Sequence, residues 1–518
     1  MLLNNKRLFV NTNSINIDLN VNKDISIQRS NKLTTIVFGY PYDIINPKWL
    51  TACEISEMFI ANGTDFLNKI DGIFVIIIIS GKNTFVITDA FGVYKLYFCN
   101  YENKYFISDK LKKIIDQIDC KEFDEIAIND FILSGYVIGN KTFFKKVKKF
   151  SAGSIYKFKQ TVSIEKYHKI IPKQVNSKHF IEMFNNHIFL GKKLSKEIIL
   201  PLTAGLDSRV VLSGMNNYTN DLTLFTHINN DNVDMKQAKK ICEDFKLKHK
   251  NHLWNEIYSK KNFRKTLEEF QSMINAYLFI PLYGSHESAE FYGDTLWNSN
   301  GGEIYRNYFG KFCDNSFDII EFGKQIIIPR SLPIPLIQKD AFYNSLNLEL
   351  KEHSEFECRT KLNIYYILNR YANFSGYSLQ MSGKLFKIFQ PFVAKDLIKF
   401  IIGMQYEQVK NGKMLKEIIK FNDSRLTKYK INGKSFENKN YNINLQKLLQ
   451  VKNKFSNLFK TNYYKRIFKD FHSDFKELYD NPHPLLERYL VKSISDKQIT
   501  RNYYYFTNLM TLNEFLKS

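Results

Sequence analysis

The sequence predicts an α/β protein: a β-rich, α+β first domain, then a domain on a parallel sheet, ending in a helical C-terminal part. Three observations predict it. The run Gly72–Ile79 is continuously apolar and returns through a turn; the order strand, loop, helix, strand recurs between Ile198 and Thr226; and the pattern is mainly helical from about residue 340. At 518 residues the chain exceeds what one hydrophobic core organises, so at least two domains are expected.

Taken in order, Gly72–Ile79 suits a strand buried on both faces, Ser80-Gly81-Lys82-Asn83 a turn, and Thr84–Thr88 the returning strand. Lys104–Ser108 adds another strand after Asp89–Phe98, giving a meander. Phe180, Ile181, Phe184 and Ile188 then fall at helical spacing ahead of a short strand at Ile198-Ile199-Leu200. A Gly-containing loop leads into a helical stretch with Val210, Val211 and Leu212, and Leu222–Thr226 is the next strand. Near the C-terminus, Phe455, Leu458 and Phe459 fit either a basic amphipathic helix for a membrane or partner, or a helix packed on the domain with its lysines in water, and the second is favoured.

The formal charge of +22 invites a polyanion partner, but lysine is spread evenly and Asn, Ile, Phe and Tyr are heavily used, so no specific nucleic acid is expected. The opening Met1-Leu2-Leu3-Asn4-Asn5-Lys6 lacks a signal peptide's apolar core, and Ile73–Ile79 falls far short of the roughly 20 residues that span a bilayer. A cytoplasmic protein with no membrane partner is expected. Its six cysteines form no CxxC or zinc-like grouping and are expected to be reduced and mostly buried.

The most informative segment is Leu200-Pro201-Leu202-Thr203-Ala204-Gly205-Leu206-Asp207-Ser208-Arg209. A small-residue loop between a buried strand and a helix lets backbone N–H groups reach phosphate oxygens, at the positive end of the helix. Thr203 and Ser208 add hydroxyl donors, and Asp207 is placed to hold a nucleotide's magnesium. Arg209 suits a clamp for phosphate or carboxylate, or an ordinary helix-start arginine. No Gly-Lys-Ser/Thr ends the loop, so it is not a Walker A motif.

This loop resembles the SGGxDS loop of the PP-loop ATP pyrophosphatases, with Thr203 for the first Ser and Ala204 for the first Gly. Further segments resemble the asparagine synthetase family in its own order: Asp234, Ala238, Ile241 and His249; Thr295–Glu303, similar to SGEGxDE; Gln390–Val393 with Asp396-Leu397-Ile398; and Gly412–Lys416 with Asn432–Phe436. Gly72-Ile73-Phe74 and Asp89–Gly92 with Lys95-Leu96-Tyr97, closed by Gly135, Thr142 and Ser151-Ala152-Gly153, look like that family's glutaminase domain. The resemblance implies an Ntn-hydrolase-like sandwich over residues 1–165, a PP-loop ATP-pyrophosphatase domain over 175–436 and a helical extension over 437–518.

It also implies ATP and Mg²⁺ as cofactors. Leu202, Thr203, Ala204, Gly205, Asp207, Ser208, Arg209, Thr226, Gly301 and Gly302 would bind nucleotide; Asp207 and Glu303 would bind the metal, Glu303 because Gly302 stands where the family carries a metal-binding Asp. Lys434 would be catalytic with Asp207, Lys430 being the alternative lysine. The glutaminase nucleophile, a cysteine exposed as the mature first residue, has no counterpart, since removal of Met1 exposes Leu2 and the first cysteine is Cys53. The oxyanion-binding GEIYN segment appears as Gly39-Tyr40-Pro41-Tyr42-Asp43, whose carboxylate would oppose an oxyanion. The implied activity is an amide-forming ligase that adenylates a small-molecule or peptide carboxylate and takes nitrogen from a separate ammonia source or a substrate amine. Oligomeric state stays open, as do two other readings, a catalytically silent ATP-binding homologue and an RNA-modifying PP-loop enzyme.

Overall fold

The structure is a computed structural model that describes residues 2–437, 472–490 and 503–517, apart from 5–6, 12–14, 21–22, 31–32, 120–121, 160, 216–220, 229–232, 254–259, 271–272, 277–278, 280–292, 314–316 and 328–335. Phe455, Leu458 and Phe459 lie outside these residues.

The first part holds β1 (Leu2–Asn4), β2 (Arg7–Asn11), β3 (Ile15–Asn20), β4 (Ile25–Arg29), β5 (Thr34–Asp43), β6 (Lys48–Trp49) and β7 (Ile70–Ser80). After these come β8 (Asn83–Thr88), β9 (Tyr97–Tyr101), β10 (Lys104–Ser108), β11 (Lys148–Lys149), β12 (Ser154–Phe158) and β13 (Val162–Lys166). They form two sheets, ordered β1-β2-β3-β10-β9-β11 and β13-β12-β8-β7-β5-β4, with β6 on β5. All pairs are antiparallel except β3 with β10.

The apolar run at the centre of β7 is explained by its two covered faces. Val75 and Ile77 pack in the same core as Ile15, Ile17 and Leu19 of the other sheet, while Phe74, Ile76 and Ile78 pack with Ala52 and Ile55 of the helix Ala52–Asn62.

The second part is a parallel sheet of β14 (Ile198–Pro201), β15 (Leu222–Ile228), β16 (Lys248–Leu253), β17 (Thr295–Trp297) and β18 (Lys387–Phe389), ordered β16-β15-β14-β17-β18. The sheet grows to one side from β14 to β16 and to the other from β17 to β18. The order therefore reverses between β14 and β17, and in open α/β sheets ligands bind in the crevice beyond the strand C-termini at such a point. The helix expected around Phe180 runs over Ser177–Leu194 and buries Phe180, Ile181, Phe184 and Ile188. The chain from about residue 340 is mainly helical as expected, with β18 an interruption whose strand state comes from pairing with β17.

One long helical segment joins the two parts. It begins as Cys358–Tyr365, widens into a π-helix over Tyr366–Ser375 and continues as Gly376–Gly383. From it, Tyr365 and Tyr377 share hydroxyl hydrogen bonds of 3.0 Å with Tyr136 and Tyr97, and Asn373 accepts from the buried Lys149 at 3.0 Å. Farther along the chain, the helix Tyr503–Lys517 packs back on the helix Glu125–Ser134, where the Asn508 side chain donates to the carbonyls of Phe131 and Ile132 at 3.2 and 3.1 Å.

Two expectations meet the structure here. Cys313 and Cys358 form a disulfide with Cα atoms 5.9 Å apart, correcting the expectation that all six cysteines are reduced; Cys53, Cys99 and Cys242 are free, Cys53 being exposed. Folding brings together two cysteines 45 residues apart that no local spacing links. Among the described residues, no helix is long and apolar enough to cross a membrane.

Candidate nucleotide site

The loop after β14 is anchored from below. Leu202 is fully buried; its N–H donates to the Phe225 carbonyl at 2.8 Å, and its own carbonyl accepts from the Thr226 hydroxyl at 2.9 Å. The Thr226 oxygen also lies 2.9 Å from Nε2 of His249, an imidazole whose pKa is lowered by burial. Thr226 and Leu202 thus brace the loop from β15, the Thr226 hydroxyl being engaged by the Leu202 carbonyl and His249.

Above this anchor the loop closes on itself. The Thr203 N–H donates to the Ser208 hydroxyl at 3.2 Å, the Gly205 N–H to the Thr203 hydroxyl at 3.1 Å and the Ala204 N–H to the Asp234 carboxylate at 2.8 Å. The hydroxyls can rotate away for an incoming anion, whereas Asp234 competes with it for the Ala204 N–H. Asp207 and Ser208 open the helix Asp207–Gly214, where backbone N–H groups have no partner within the helix.

The loop after β17 meets this one across the switch point. Gly301 has φ +103°, and a Cβ there would lie 2.6 Å from Val393, so only glycine fits without strain. A Cβ on Gly302 would lie 2.3 Å from the Asp207 carboxyl carbon, so the Asp207 carboxylate fills the space that a side chain at 302 would need. Glu303 opens a short 3-10 turn, Ile304–Arg306, which turns Arg306 back towards Asp207. The Arg306 Nη2 lies 2.6 Å from Asp207 Oδ2 and 4.0 Å from a Glu303 oxygen. Burial raises the Asp207 carboxyl above the usual range, opposed by Arg306 and helped by Glu303. Tyr366 of the π-helix stands beside Glu303, its phenol held high first by burial and then by that carboxylate.

These donors do not fit the expected Mg²⁺ site. A guanidinium, not a gap, lies between Asp207 and Glu303, and no group of three or more His, Cys, Asp or Glu among the described residues is placed to hold a metal ion. Magnesium takes oxygen ligands in a near-ideal octahedron, and a cation already paired to the first carboxylate opposes its entry.

Arg209 is corrected more fully. It is completely buried, donating to the carbonyls of Tyr429 and Lys430 at 3.0 Å each and more weakly to Ala204 at 3.4 Å. It serves as a positioning residue that ties the segment after Tyr429 to the loop. That segment makes a tight turn, Ile431–Lys434, with Asn432 at φ +48° and Gly433 at φ +82°, and the Asn432 N–H donates to the Ala204 carbonyl at 3.1 Å. The turn bearing Lys434 is thereby docked on the loop, while Lys430 contributes its carbonyl to Arg209. Sequence reasoning missed Arg306, although its i, i+3 spacing from Glu303 was a usable signal; it also gave Asp234 no role.

In the first part, Asp43 accepts from the N–H groups of Ile45 and Asn46 at 2.7 and 3.0 Å. It caps its own turn. Asp89 likewise accepts from the N–H groups of Phe91, Val93 and Tyr94 and shapes the Asp89–Gly92 turn.

Residues 52–168 match a family described as a glutamine amidotransferase domain. No curated protein matches the chain. Among solved structures, the chain is similar to an allosteric regulatory enzyme of purine biosynthesis (7% identity, 44% of this chain and 61% of that one, TM-score 0.20). It is also similar to NMN synthetase from Francisella tularensis (16% identity, 38% and 95%, TM-score 0.20) and to a glutamine-dependent NAD(+) synthetase from Cytophaga hutchinsonii (11% identity, 51% and 62%, TM-score 0.19). The chain spans about three fifths of the first of these, and likenesses at such scores carry no inference about function. The chain thus carries a glutamine amidotransferase-type domain over residues 52–168, ahead of a parallel sheet that bears the Thr203–Ser208 loop at its switch point.

Proposed function

We propose that the chain is an ATP-dependent, amide-forming ligase that adenylates a carboxylate. The observation that supports this most is the meeting of the Thr203–Ser208 loop with Gly301-Gly302-Glu303 at the switch point, with the Ile431–Lys434 turn docked beside them. In this reading a substrate carboxylate oxygen attacks the α-phosphorus of ATP as the α–β anhydride bond breaks and pyrophosphate leaves. An amine then attacks the acyl carbon, loses a proton, and AMP departs with the bonding electrons. Thr203, Gly205 and Ser208 hold pyrophosphate, and Lys434 faces the charge that grows on the transferring group.

Pyrophosphate release from ATP, assayed against amino acids, acidic sugars and peptides with ammonium present, is the test. Release that depends on one acid and falls at least about 100-fold in Asp207→Ala supports the ligase. Unchanged release in Asp207→Ala would place the chemistry elsewhere.

A second reading, a catalytically silent ATP-binding homologue acting as a partner or scaffold, is favoured by the Ala204 N–H being held by Asp234 and Asp207 by Arg306. It expects nucleotide binding without pyrophosphate release for any acid.

A further inference from the structure

We infer that Arg306 is the resident cation of the phosphate cleft, standing in for a divalent metal, so that a nucleoside triphosphate binds here without Mg²⁺. This rests on the proposed nucleotide site and specifies its ionic requirement.

Gly302 offers no carboxylate, and Asp207 has moved into the room a side chain at 302 would take. The first carboxylate is therefore committed to a guanidinium at 2.6 Å, and the nearest oxygen of the second is 4.0 Å from the same nitrogen. Two acidic groups thus share one fixed positive charge. The pairing also leaves capacity: the Arg306 Nε is buried without a hydrogen-bond partner. A guanidinium has five donors in a planar fork, and only one of its nitrogens is engaged by Asp207, so the rest of the fork remains for phosphate oxygens. Because Arg306 follows from the 3-10 turn after Glu303, its charge is positioned by the backbone of the same loop that faces the anhydride. Metal and guanidinium are alternatives, since both would occupy the space between Asp207 and Glu303.

The experiment is titration of the full chain with ATP by calorimetry, in EDTA and in excess Mg²⁺. Affinities equal within about threefold are expected for the parent, with a loss of at least about tenfold in EDTA for Arg306→Gln. Arg306→Lys, which keeps the charge without the fork, is expected between the two, and thermal unfolding of each variant shows whether it is folded. Mg²⁺ is expected to recover part of the loss in Arg306→Gln, a response that mere misfolding would not give. Binding by the parent only with Mg²⁺ overturns the inference but keeps the nucleotide site. Parent-like affinity of folded Arg306→Gln in EDTA also overturns it, and absence of binding in both media overturns the nucleotide site and the inference together.

Discussion

Arg209 and Arg306 show how one residue type takes opposite roles within a single cleft. Arg209 follows Ser208 in the loop motif, and its place in the sequence suggested a phosphate clamp; instead it is sealed in the core under three carbonyls. Removing this buried donor takes the guanidinium from the Tyr429 and Lys430 carbonyls, while Ala204 keeps the Asn432 N–H, so Arg209→Leu is expected to lower stability by roughly 3 kcal/mol. Urea unfolding measures this, and a loss below about 1 kcal/mol would mean that water replaces the guanidinium. The loop itself was legible because small residues, hydroxyls and a following helix are local features. Arg306 and Asp234 were not, because their partners arrive from other strands, and only the sheet's strand order brings them to Asp207 and Ala204.

Among the elements, those with uninterrupted apolar residues were readable: β7, β8, β14 and β15 lie where runs such as Ile73–Ile79 and Leu222–Thr226 predict them. β18 was not, since three residues carry too little pattern and pairing alone makes them a strand. Nor did any signal foretell the π-helix Tyr366–Ser375, whose residues face both the first domain and the Glu303 loop. The Cys313–Cys358 bond fastens the turn Gly310–Cys313, just beyond Arg306, to the start of this helical segment. Closing a loop of 45 residues restricts the unfolded chain by about 4 kcal/mol in the chain-entropy account. Cys313→Ser with Cys358→Ser is therefore expected to unfold at lower urea concentration, and the parent is expected to match it once reduced. Identical midpoints for parent and double variant would remove the cross-link's contribution.

For the whole molecule, the boundary between the parts is polar and buried. Asp130, completely buried on the helix Glu125–Ser134, lies 2.7 Å from the Lys141 ammonium and accepts from Ser345 of the second part at 2.8 Å. Burial pushes its carboxyl up to about 6 against the pull of Lys141 and Ser345. The unfolded chain releases this proton near the ordinary carboxylate value, so between about pH 4 and 6 the native state holds more protons and stability falls as pH rises. The contribution approaches about 3 kcal/mol and is constant above pH ~6. Asp130→Asn is expected to flatten that slope in urea titrations at pH 4.5 and 6.5; an unchanged slope would mean that Asp130 ionises normally.

The helix Tyr503–Lys517 gives this architecture a timetable. Asn508 completes the hydrogen bonding of Phe131 from 377 residues farther along the chain. At ribosomal speeds of about 5–20 residues per second, that partner is synthesised some twenty seconds to over a minute after the helix it covers. For that interval the nascent first domain lacks the helix that covers Glu125–Ser134 and the side-chain donor to its Phe131 and Ile132 carbonyls. Its folding is therefore provisional until the distant helix arrives, and factors that shield nascent chains have that interval in which to act.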